Sequence, residues 1–152
     1  MSTETTRTLQ PVVGTVVVSH EQVAFAMVEA VRRVVGRLSN TAVACITTGE
    51  DSAAIIQKVA QACGQVDDGA GVVILVDVYG STPYHVCMSM LDGTRAAEVV
   101  CGVNLPMLLK LAMLDRSRFT PEALALELRD VGRRAVRLGT ELTGKVIPGE
   151  KG

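Results

Sequence analysis

Short β-branched runs alternate along the chain with longer stretches of helical spacing, the pattern of parallel strands joined by crossover helices. Val12 to Val18 (VVGTVVV) reads as a first strand, and its near-continuous valine predicts burial on both faces. Helical spacing takes over at Val23, Met27, Ala30, Val31 and Val34, and Gly36 marks the end of that helix. A second strand, Ala42 to Thr47, runs into Gly49-Glu50-Asp51-Ser52, where acidic and hydroxyl residues favour a helix start. This helix reaches Cys63–Gly64, before a loop at 67–71. The third strand, Val72 to Val76, is the most apolar and ends at Asp77, and a helix follows near Pro83 with Thr82 as its cap. Glu98 to Cys101 supplies a shorter fourth strand, and Gly102-Val103-Asn104 leads into a helix opening with Leu105-Pro106. Thr120-Pro121-Glu122 starts a long final helix whose apolar stripe is Leu124, Leu128, Val131, Ala135, Leu138 and Leu142, a face for the core or for a partner.

Right-handed crossovers place strand one beside strand three, with strand two outside it. The expected fold is therefore α/β, a doubly wound three-layer sandwich of four parallel strands in the order 2-1-3-4. One domain spans 12–142, between a flexible N-terminal segment (1–11) and a C-terminal tail or edge strand (143–152). The length, 152 residues, is that of a single domain. With 15 basic against 16 acidic side chains, no Trp, two Phe and two Tyr, the chain lacks both the charge footprint and the stacking platforms of a nucleic-acid binder. No apolar stretch approaches the roughly 18–20 residues that cross a bilayer. The polar start lacks the features of a secretory signal, so a cytoplasmic location is expected. Cys45, Cys63, Cys87 and Cys101 form no C-x-x-C pair and have no His at ligand spacing. They read as reduced, mostly buried small apolar residues, with no metal implied.

In open parallel sheets the ligand crevice lies beyond the carboxyl ends of the strands, where chain direction reverses, here between strands one and three. Ser19-His20 follows strand one and Asp77 ends strand three. Gly80-Ser81-Thr82 and Gly102-Val103-Asn104 each precede a helix, so unpaired amides and positive helix ends converge on the same crevice. This describes an anion site built without metal or cationic side chains. A histidine among such amides points to covalent phosphorylation of the imidazole, with Asp77 holding the second ring nitrogen and fixing the tautomer. The plainer alternatives are a capping or solvent-facing His20 and a turn carboxylate at Asp77. His85 reads as a locally bonded surface histidine or as a second phosphate contact, and Tyr79 and Tyr84 as rim packing or as part of a partner surface.

The segments VVVSH (16–20), TTGEDSAAIIQK (47–58), GVVILVDVYGSTPYHV (71–86) and CGVNLPMLLKLAML (101–114) resemble the mannose-type enzyme IIA of the bacterial phosphoenolpyruvate-dependent sugar phosphotransferase system. The resemblance implies that His20 accepts a phosphoryl group from the histidine phosphocarrier protein and passes it to a histidine on a IIB subunit. It matches Asp77 to the supporting carboxylate and Thr82, beside Ser81, to the phosphoryl-binding helix start. It implies no cofactor, membrane association only through transporter subunits, and a homodimer exchanging an antiparallel edge strand, for which Lys145-Val146-Ile147 is the candidate. Without a Pro/Ala-rich linker or a IIB region, the acceptor is expected on a separate polypeptide.

The chain departs from the family pattern in two places. Glu21 stands where glycine usually follows the active histidine, at an expected helix start. Gly80-Ser81-Thr82-Pro83-Tyr84-His85 replaces the common Gly-Gly-Ser-Pro-Phe-Asn. The altered loop leaves open a regulatory phosphoprotein that reports the state of the system without transport. A nucleotide- or flavin-binding domain ranks lower, because Ser19-His20-Glu21-Gln22 has no glycine-rich phosphate cradle.

Overall fold

The computed structural model describes residues 10–144. Four parallel strands form one sheet in the order β2-β1-β3-β4: β1 (Gly14–His20), β2 (Thr41–Ile46), β3 (Val72–Val76) and β4 (Ala97–Cys101). The helices joining them are α1 (Val23–Val35), α2 (Ser52–Val66), α3 (Thr82–Ser89), α4 (Leu105–Met113) and α5 (Pro121–Arg134), followed by a short α6 (Gly139–Thr143). The doubly wound three-layer order is the one that the sequence implies. Strand β1 begins two residues later than the apolar run and extends through His20, whose Cα pairs with Ile46. His20 therefore belongs to the rigid strand end rather than to a loop.

The two-residue period of the strands divides the core. Val17, Val73 and Leu75 face α1, α4 and α5, joining Val28, Val31, Leu108, Leu111, Leu124 and Leu128 in one fully packed layer. Val16, Val18, Ile74 and Val76 face the other way, onto Ile55, Val59 and Cys63 of α2 and Val86 and Cys87 of α3. Burial on both faces is why the central strands read as unbroken valine and isoleucine.

Helix ends follow local chemistry. Asp51, Asn104 and Thr120 accept hydrogen bonds from Ala54, Met107 and Ala123 at the starts of α2, α4 and α5, and Gly36 ends α1 in the left-handed conformation. At α3 the cap is Ser81, not Thr82: Ser81 Oγ accepts from Tyr84 N, and Thr82 is the first helical residue. The long final helix is also corrected. Helix α5 stops at Arg134, with Arg133 and Arg134 favourably placed in its last turn, and Val136, Leu138 and Leu142 are exposed rather than packed. The apolar stripe thus loses its core contact after Leu128. The strand candidate at Lys145-Val146-Ile147 lies outside the described residues.

Candidate functional site

The site is built at the carboxyl ends of the two central strands. The backbone N–H and ring Nδ1 of His20 both lie 2.9 Å from Oδ2 of Asp77, the residue after β3. Oδ1 of Asp77 accepts from Val78 N at 2.8 Å, and Asp77 N donates to Val18 O at 3.1 Å, which locks the carboxylate against β1. A carboxylate only accepts, so in the neutral imidazole Nδ1 carries the proton and Nε2 keeps its lone pair. The His20 side chain is 49% exposed while that of Asp77 is 14% exposed. One ring nitrogen is thereby engaged from below, and the ring itself is open to an incoming group.

Ser19, one residue earlier, is fully buried, and its Oγ accepts from Ala24 N at 2.6 Å. It satisfies an amide of the first turn of α1, where the N-cap residue Gln22 makes no side-chain cap bond. Sequence reasoning noticed Ser19 only as a neighbour of His20. The available signal was a hydroxyl residue at a strand end a few positions before a helix.

Ser81 Oγ donates to Val78 O at 2.7 Å as well as capping α3, so its hydroxyl is committed to the loop that follows Asp77. Thr82 is exposed in the first turn of α3, where backbone amides have no intrahelical acceptor. The rings of Tyr79 and Tyr84 lie 4.9 Å apart and those of Tyr84 and His85 5.0 Å apart, forming an aromatic row along the same loop and helix. His85 is exposed and belongs to this row. Among the described residues no group of three or more His, Cys, Asp or Glu is placed to hold a metal ion.

Glu21 differs from its expected place at a helix start. It precedes α1 and has left-handed backbone, φ 48°. Its carboxylate accepts from the amide of Thr48 at 2.9 Å and from its hydroxyl at 2.8 Å, on the loop after β2. Those bonds hold the carboxyl below its ordinary protonation range.

Such an open parallel sheet, with a half-exposed, carboxylate-braced imidazole at its topological switch point, defines a doubly wound domain. A family model described as "PTS system fructose IIA component" matches residues 14–126, and the chain belongs to this family, the mannose-type enzyme IIA components of the sugar phosphotransferase system. It is 28% identical over 131 residues to the "PTS system mannose-specific EIIAB component" of Escherichia coli (strain K12), a match covering 86% of this chain and 39% of that protein. The chain thus spans about two fifths of the length of that relative. To the "PTS system fructose-specific EIIA component" of Bacillus subtilis (strain 168) it is 25% identical, over 88% of this chain and 91% of that one. A solved "Mannose/sorbose specific IIA subunit of phosphotransferase system from Enterococcus faecalis" superposes with a TM-score of 0.74 at 25% identity, covering 86% of this chain and 95% of that chain. No described helix is long and apolar enough to cross a membrane.

Proposed function

We propose that the protein is a phosphocarrier of the sugar phosphotransferase system, working in the cytoplasm as a homodimer. It accepts a phosphoryl group on His20 from the histidine phosphocarrier protein and passes it to a separate IIB subunit for sugar uptake coupled to phosphorylation. The observation that carries this reading is the 2.9 Å contact between His20 Nδ1 and Asp77 Oδ2 beneath a half-exposed ring.

In the forward step the P–N bond to the donor imidazole breaks as a bond forms between phosphorus and Nε2 of His20. The proton on Nδ1 stays in place, and Asp77 balances the positive charge that the ring acquires. Phosphoryl transfer passes through a loose transition state, so in-line placement and charge stabilisation matter more than proton transfer. The amide and hydroxyl of Thr82, at the positive end of α3, supply neutral donors for the phosphoryl oxygens, and Ser81, whose hydroxyl donates to Val78 O, holds the loop that presents them. The second step reverses the first, with the IIB histidine as acceptor.

Reconstitution with phosphoenolpyruvate, enzyme I and the histidine phosphocarrier protein tests the proposal. Intact mass should show one acid-labile phosphoryl group on the wild-type protein, none on His20→Ala, and loss of the group on adding the IIB subunit. A wild-type chain that stays unmodified would overturn the reading, as would a His20→Ala variant that is still labelled.

A further inference from the structure

Glu21 follows the reacting histidine directly, and its conformation is costly. A non-glycine residue at φ 48° occupies a region that L side chains seldom adopt. Its amide donates to Ile46 O at 2.8 Å, continuing the β1–β2 pairing past the strand end. Its carboxylate is then held by both donors of Thr48. These bonds fix the carboxylate in place and keep it ionised near neutral pH. The charge is therefore a stationary one at the rim of the His20 site.

The neighbouring carboxylate is treated differently. Glu50 accepts from Thr47 N at 2.8 Å and is paired with Lys58 at 2.5 Å, so it brings its own counter-charge. Among the described residues no Lys or Arg lies within ion-pair distance of Glu21. Glu21 is exposed and fixed, with no described Lys or Arg beside it to offset its charge.

Transfer between two imidazoles requires both reacting nitrogens to flank a single phosphorus atom. Any partner that reaches His20 must therefore cover the residue bonded to it in the chain. Covering an ionised carboxylate without a counter-charge is unfavourable, and covering it with a cation opposite favours both encounter and register. We propose that Glu21 is a specificity-determining residue, an anion pinned by Thr48 that selects a phosphoryl donor presenting a Lys or Arg side chain opposite it. The inference rests on the phosphocarrier reading above and adds the chemistry of the partner's contact surface.

Steady-state phosphorylation of the full chain, with the histidine phosphocarrier protein as varied substrate, tests this at low and high salt. Glu21→Gln keeps an oxygen for both Thr48 donors and the same backbone strain, so it should stay folded, with only a small drop in melting temperature as those bonds lose their charge. Its KM for the carrier should rise by about 5–10-fold at low salt, and that of Glu21→Lys by about 10²-fold, with kcat unchanged within about twofold, as for loss or reversal of an interfacial charge pair. The wild-type KM should climb with ionic strength, and that of Glu21→Gln should climb less. Unchanged KM in Glu21→Gln would overturn the inference while leaving the phosphocarrier reading intact. A fall in kcat at constant KM would also overturn it, since the carboxylate would then act on the chemistry or the loop rather than on recognition. A wild-type protein that accepts no phosphoryl group would instead remove the underlying function.

Discussion

At His20 the neutral ring has two tautomers, and the carboxylate of Asp77 selects one by accepting from Nδ1. Replacing that carboxylate with an amide separates shape from charge. Asp77→Asn keeps the size of the side chain, removes the counter-charge for a phosphorylated ring and sets an NH2 donor against either Val78 N or His20 N, so the phosphorylation rate should fall by about 10²-fold with a modest loss of thermal stability. Single-turnover quench-flow measures this, and a wild-type rate would deny Asp77 its role. The cysteines allow a separate check. Burial pushes the Cys87 thiol up to about 12, and Cys63 is buried with its thiol also raised. Thiol reagents at mildly alkaline pH should therefore label the half-buried Cys45 and Cys101 first and reach Cys63 and Cys87 only on unfolding, as peptide mapping would reveal. Residue-scale chemistry was partly legible in the sequence. Topology alone put His20 and Asp77 at one switch point, whereas the Ser81 cap was displaced by one position because two adjacent hydroxyl residues offer the same local signal. The left-handed Glu21 and its bond to Thr48 were not legible, since the pairing joins two loops 27 residues apart and breaks the usual preference for glycine.

Between elements, the end of the sheet opposite the site is held by an unusual device. Arg116, in a 3-10 turn after α4, is 5% exposed. Its guanidinium donates to the carbonyls of Val13 and Asn40 at 3.1 Å, to the Ser39 carbonyl and to Thr15 Oγ1. It thus ties the start of β1 to the loop before β2. Arg116→Ala would take the guanidinium donor from the carbonyl of buried Val13 and open a void where the side chain packed, so it should cost about 2–3 kcal/mol in urea denaturation, whereas a change within experimental error would show that water replaces the guanidinium freely. Gly71 makes a second such point. Its φ is 89°, and a Cβ there would overlap the Ala96 carbonyl oxygen and come within 2.7 Å of the Pro121 ring, so Gly71→Ala should destabilise by about 2–3 kcal/mol on the same assay. The strands and most helix starts were readable because the apolar period and the capping residues agree. The end of α5 was not, because the spacing of its stripe continues through Leu138 and Leu142 although the layer that it would pack against ends earlier.

For the molecule as a whole, the exposed carboxylates set the response to acid. Glu21 and Glu50 are held below the ordinary glutamate value of 4.5, and Asp92 and Asp115 below the ordinary aspartate value of 3.8, chiefly by hydrogen bonds from Thr48, Lys58, Thr94 and Ser117. A folded-state value below the unfolded one gives stability that is complete above the unfolded value and disappears as pH falls through the folded one. The melting temperature should therefore be flat from neutrality to about pH 5 and decline below about pH 4.5, as scanning calorimetry would record. A melting temperature that rose on acidification would contradict these assignments. At this scale the sequence was most informative. A chain of four β-α units with a valine-rich first strand leaves few arrangements under right-handed crossover, and the order β2-β1-β3-β4 is the one that also brings the ends of β1 and β3 together.

In the proposed function, that juxtaposition makes one atom, Nε2 of His20, the seat of the phosphoryl group. Long-range proton–nitrogen correlation NMR on the phosphorylated, nitrogen-15 histidine-labelled protein reads the substituted nitrogen directly. Phosphorus should lie on Nε2 of His20, with Nδ1 still protonated against Asp77. Phosphorus found on Nδ1 of that ring, or on His85, would contradict this assignment.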